Sequence, residues 1–130
     1  MPKFSQASLD KLSTCDERLQ ILFNKVIEYF DCTIVYGNRG EKDQNEAFAK
    51  GASKKKFPDS KHNSSPSKAV DAVPYPINWG DEDRMYYFSG VVMGIAKMLD
   101  IEIRWGGDWD KDTEVRDQTF NDLGHFQLED

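Results

Sequence analysis

The chain has 130 residues, 23 acidic and 17 basic, for a net charge of −6, and its pI is near 4.9. That length suits a single domain, 1–130, with a core of its own, and the acidic balance argues against nucleic acid or an anionic membrane surface as a partner. No run of about 18 apolar residues is present, so no membrane insertion is expected.

Met1-Pro2-Lys3-Phe4-Ser5 lacks the apolar stretch of a secretion signal, which predicts a soluble protein made in the cytoplasm with Cys15 and Cys32 reduced and unpaired. Ser8–Leu12 reads as a short helical turn. Asp16 is placed to cap a longer helix whose Leu19, Leu22, Phe23, Val26, Ile27 and Phe30 recur at helical spacing. Cys32–Tyr36 is β-branched and bounded by Asp31 and Gly37, a strand that turns and delivers Arg39. Residues 41–50 favour a helix stopped by Gly51, and the Lys-, Ser- and Pro-rich stretch that follows reads as a long loop carrying His62. Ala69–Val73 reads as a strand with Asp71 in its middle, ended by Pro74 and Pro76. Asp81 can cap a helix with Met85, Phe88, Val91, Val92, Ile95, Ala96 and Leu99 as its apolar stripe. Ile101–Trp105 alternates like a strand, Gly106-Gly107 breaks it, an acidic loop runs from Asp108 to Asp117, and 125–128 closes the chain as a short strand. The order predicts an α+β fold, a small antiparallel sheet flanked by helices.

Both histidines of the chain lie beside an aspartate and abut a strand-like segment: Ser60-Lys61-His62 with Asp71 following, and Asp122-Leu123-Gly124-His125. Two imidazoles and one carboxylate suit Zn²⁺ and leave a fourth tetrahedral position open, the composition of a catalytic site. The competing reading is a His and an Asp hydrogen-bonded in the core. With His62, Asp71 and His125 as metal ligands, Asp122 is free to act as a general base, or else it caps a turn with Asn121. Arg39 can place positive charge where an oxyanion forms, or it forms a surface ion pair.

Gly37-x-Arg39 with Gln44, Ser60-Lys61-His62, Ala69-Val70-Asp71 with Pro74-Tyr75, Arg104-Trp105-Gly106-Gly107-Asp108-Trp109 and Asp122-x-x-His125-Phe126-x-Leu128 together resemble the phage endolysins that are L-alanyl-D-glutamate zinc endopeptidases. These belong with the D-Ala-D-Ala carboxypeptidases, the vancomycin-resistance dipeptidases and the hedgehog signalling domain. The resemblance implies that fold, a zinc site of His62, Asp71 and His125, Asp122 as general base and Arg39 at the substrate carbonyl oxygen. It also implies Gln44 as support for the Arg39 turn, and Trp105 with the Gly106-Gly107 pair lining the cleft. The implied activity is hydrolysis of the L-Ala–D-Glu bond in the peptidoglycan stem peptide, by a monomer that needs a holin or other lysis protein to reach the wall. A D,D-carboxypeptidase or dipeptidase acting on D-Ala termini, and a non-catalytic zinc-stabilised wall-binding module, are the alternatives.

Asp108, Asp110, Asp112 and Glu114 alternate as in a Ca²⁺ loop. Thr113 stands where an EF-hand needs Gly and Thr119 where it needs Glu, which favours a solvated acidic loop over a Ca²⁺ site.

Overall fold

The computed structural model describes residues 2–118 and 120–130, so Thr119 lies outside the described residues, as does Met1. The elements run α1 (Gln6–Leu12), α2 (Glu17–Val26), β1 (Cys32–Tyr36), α3 (Glu41–Ala49), β2 (Ala69–Pro74), α4 (Glu82–Met98), β3 (Ile103–Gly106) and β4 (Asp122–Leu128). Ser5, Asp16 and Asp81 accept backbone hydrogen bonds at the starts of α1, α2 and α4. Each cap is worth about 1 kcal/mol. Leu19, Leu22, Phe23 and Val26 are fully buried, and each such burial contributes roughly 1.5–3 kcal/mol. Packing rather than capping therefore sets which face of α2 turns inward.

The strands form one antiparallel sheet in the order β1-β2-β4-β3. Helix α4 packs across β2, β3 and β4, and α2 packs against α4. Between them Phe126 of β4 meets Phe23 and Phe88 edge-on, with ring centroids 5.7 and 6.3 Å apart. Side chains alternate along a strand. Val70 and Phe126 are register partners in the core, so the next pair, Asp71 and His125, points away from it. Cys15 and Cys32 are both free and buried, and burial pushes both thiols up to about 12.

Several expected boundaries move. Phe30 lies beyond the end of α2 and reaches the core from a turn, edge-on to Phe88 at 5.2 Å. Strand β2 continues through Pro74, whose missing N–H is tolerated opposite Cys32 on the edge strand. Strand β3 starts at Ile103 rather than Ile101, because Asp100 takes a left-handed turn (φ 58°) after α4. On α4 the buried residues are Met85, Phe88, Ser89, Val92 and Ala96; Val91 and Ile95 are only half-buried and Leu99 is exposed, since the sheet covers a narrower stripe than the apolar sequence pattern suggests. Strand β4 begins three residues earlier than expected, at Asp122, which pairs with Gly106. Among the described residues no helix is long and apolar enough to cross a membrane.

Candidate active site

Within the long loop between α3 and β2, residues Lys61–Asn63 form a turn of 3₁₀ helix that presents His62. Ser60 accepts from the His62 backbone N–H, and the Asn63 side chain accepts from that of Ser60, a reciprocal cap. Distant groups complete the turn: the Arg39 N–H donates to the His62 carbonyl at 2.7 Å, and the Asn63 amide donates to the Arg39 carbonyl at 2.8 Å. Gly37 lets the end of β1 lie close against the end of α1. A Cβ there would lie 2.3 Å from both the Lys11 carbonyl and Thr14 Oγ1.

His62 Nε2, Asp71 Oδ1 and His125 Nδ1 form a triangle with sides of 3.1, 3.1 and 3.2 Å. Each ring's other nitrogen fixes its tautomer. His62 Nδ1–H donates to the Gly37 carbonyl at 2.8 Å, and His125 Nε2–H donates to Gln127 Oε1 at 2.8 Å. That leaves the lone pairs of Nε2 and Nδ1 aimed at the same point as a carboxylate oxygen. Three acceptors with no hydrogen between them repel unless a cation sits among them. Zinc ligands at about 2.0–2.1 Å and tetrahedral angles lie about 3.3 Å apart, close to the sides of this triangle. His62, Asp71 and His125 can hold a metal ion.

Asp71 gives its second oxygen to Arg39, whose Nη2 donates at 3.1 Å. Burial alone would raise the Asp71 carboxyl, but the adjacent His62 and His125 imidazoles outweigh it and hold it well below the usual range. Burial likewise opposes a proton on His125, yet the Asp71 carboxylate draws its pKa upward. Both shifts express one demand of the pocket, a positive charge beside Asp71. Asp122 Oδ2 sits 3.9 Å from His125 Nδ1, and burial, reinforced by the Asp71 charge, pushes its carboxyl up to about 6. Arg39 is 8% exposed, with its guanidinium 4.5 Å above the Tyr36 ring and its Nη1 donating to Gln44 Oε1 at 3.2 Å.

The sequence matches the phage L-alanyl-D-glutamate peptidase family over residues 1–129. The chain belongs to this family. It is 31% identical over 135 residues to the L-alanyl-D-glutamate peptidase of Escherichia phage T5, covering 97% of each chain. Its fold resembles the crystal structure of the Serratia marcescens L-Ala D-Glu endopeptidase ChiX, with a TM-score of 0.75, 25% identity, and coverage of 97% of this chain and 90% of that one.

Other residues that the sequence singled out for this phage peptidase chain are distributed differently. Trp105 is in the core, its indole N–H donating to the Leu123 carbonyl at 2.8 Å and its ring edge-on to Tyr86, so it braces β4 from behind instead of lining the cleft. Gly107 accommodates that ring, and Gly106 accommodates the backbone of Asp122: a Cβ at Gly106 would lie 2.2 Å from the Asp122 carbonyl. The cleft wall beside His125 is Trp109, 5.5 Å from the imidazole and stacked on Phe120 at 6.5 Å. In the sequence Trp109 stands out only as part of a motif and Phe120 not at all; the signal for the pair is an aromatic at each end of the acidic loop. In that loop the carboxylates of Asp108, Asp110 and Asp112 come together closely enough to hold a metal ion, whereas Glu114 is paired with Arg116 at 2.9 Å. Thr113 adopts the left-handed turn (φ 68°) for which a Gly was expected, and Thr119 is outside the described residues.

Proposed function

We propose that this chain is a zinc-dependent phage lysin that hydrolyses the L-Ala–D-Glu bond of the peptidoglycan stem peptide. The carrying observation, in a chain of this family, is the convergence of two tautomer-locked imidazole lone pairs and one carboxylate oxygen within 3.1–3.2 Å. His62, Asp71 and His125 would hold the zinc ion, which when bound supplies Lewis acidity for the scissile carbonyl and for water. Asp122 is the general base: its raised carboxyl takes the proton of the attacking water and returns it to the departing nitrogen of D-Glu. Arg39 orients Asp71 through Oδ2 and keeps positive charge beside the carbonyl oxygen as that oxygen gains negative charge. Its burial makes this a field effect rather than a direct grip.

The test is mass spectrometry of the fragments that metal-loaded protein releases from purified murein. New amino termini on D-Glu are expected. Release of D-Ala alone would make it a carboxypeptidase, and no release at all would leave a wall-binding module. The protein acts as a monomer, made in the cytoplasm of the infected host and given access to the wall by a holin or another lysis protein. The acidic loop enters only as a candidate Ca²⁺ site that orders the cleft. Calorimetric titration of Ca²⁺ into zinc-loaded protein decides it, since absence of binding heat leaves a solvated loop.

A further inference from the structure

Beside His125 the cleft opens into a cavity of about 350 Å³. Its charge runs against that of the chain: Lys54, Lys55, Lys61 and Arg104 line it, with no acidic side chain among the described lining residues, in a protein whose net charge is −6. Two of these cations are already engaged. Lys61 donates to the carbonyls of Leu128 and Asp130, and Arg104 pairs with Glu129 at 3.2 Å. Lys54 and Lys55 have no ion-pair partner among the described residues. The Lys54 ammonium sits 5.2 Å over the Phe120 ring, which holds it at the cavity wall.

The segment that carries these lysines is tied to the metal ligands. Arg39 bonds both Asp71 and Gln44, and the fully buried Gln44 donates to the Lys55 carbonyl at 2.6 Å and to Ser53 Oγ at 2.9 Å. The backbone that carries the two lysines is thus held in a set relation to the reacting centre. A glutamate has two carboxyl groups and a peptide chain continues through only one. The L-Ala–D-Glu bond therefore has a free carboxylate on its D-Glu side, while the alanine carboxyl is consumed in the bond itself.

We infer that Lys54, backed by Lys55, binds the free carboxylate of D-Glu and thereby selects the residue on the leaving-group side. This rests on the endopeptidase reading above. A charge-assisted contact of this kind contributes about tenfold or more to kcat/KM.

The experiment uses the metal-loaded full chain and two murein preparations, one whose stem D-Glu keeps its free carboxylate and one in which it is a carboxamide, with new amino termini counted against time. The parent is expected to cleave the carboxylate form at least about tenfold faster. Lys54→Met should lose most of that preference, Lys54→Arg should keep it, and Lys54→Glu should invert it. Lys56→Met, which lies outside the cavity over Phe48, should leave the ratio at the parent value. Equal rates of the parent on both preparations would overturn the inference, as would a preference that survives in a Lys54→Met/Lys55→Met double variant of unchanged metal content and melting temperature. If the parent cleaves neither preparation, the endopeptidase reading itself falls and takes this inference with it.

Discussion

Burial would raise the carboxyl groups of both Asp71 and Asp122, yet their neighbours separate them. Against Asp71 stand two imidazoles that hold it far down; against Asp122 the Asp71 charge adds to burial and brings it up to about 6. One carboxylate stays ionised and can ligate, while the other has the pKa that the proposed proton transfer requires. Asp122→Asn is therefore expected to retain stoichiometric metal while kcat falls about 10²–10⁴-fold, and His62→Ala to lose metal and turnover together. Elemental analysis beside murein hydrolysis rates separates the two outcomes. A cation in the site stabilises the ionised form of Asp122. The acid limb of kcat/KM should accordingly fall with a midpoint at or below about 6, and a midpoint above neutrality would assign the proton transfer to another group.

At the scale of elements, the position of Asp122 depends on how closely β3 approaches β4. An alanine methyl at residue 106 has no room against the Asp122 backbone. Gly106→Ala should thus displace the start of β4, costing about 1–3 kcal/mol of stability and about 10²-fold in kcat, as expected for a misplacement near 1 Å, with metal retained. Thermal melts and turnover measured on the same sample check this, and parent-like turnover would mean that β3 does not set the position of Asp122. This contact was not legible in the sequence, where Gly106-Gly107 reads only as a break. What was legible rests on periodicity and scarcity: the stripes of α2 and α4 follow from apolar spacing, and with only two histidines in the chain, each near an aspartate, His62, Asp71 and His125 stand out as a candidate group, which the structure brings together. The 3₁₀ turn under His62 was hidden because its local cap is completed by bonds to Arg39, 23 residues away in number. The first residues of β4 were hidden because Asp122 and Gly124 have poor strand propensity and are held by pairing with β3 and by packing on β2. The lysines of the cleft read as loop composition, since only the Gln44 bonds bring them to the site.

Across the whole molecule the site joins the His62 turn, β2 and β4, so its occupant ties three separate segments together, with the end of β1 held to them through the His62–Gly37 bond. Without metal a proton on His125 adds to the Arg39 charge beside Asp71: burial opposes it, but the Asp71 carboxylate raises the His125 pKa. A raised folded-state pKa stabilises fully below the unfolded histidine value, and that contribution is lost as pH rises through the folded one. Metal binding has the opposite sense, because it needs unprotonated ligands. The difference in Tm between zinc-loaded and EDTA-treated protein should therefore widen from about pH 5 to about pH 8; a constant or shrinking difference would count against a metal centre here. The two thiols give the same molecule an internal clock. Cys15 and Cys32 are sealed in the core and held protonated, so a disulfide reagent added to the native protein reacts only through openings of the fold, and at reagent concentrations where reaction outpaces reclosing its labelling rate is the rate of those openings.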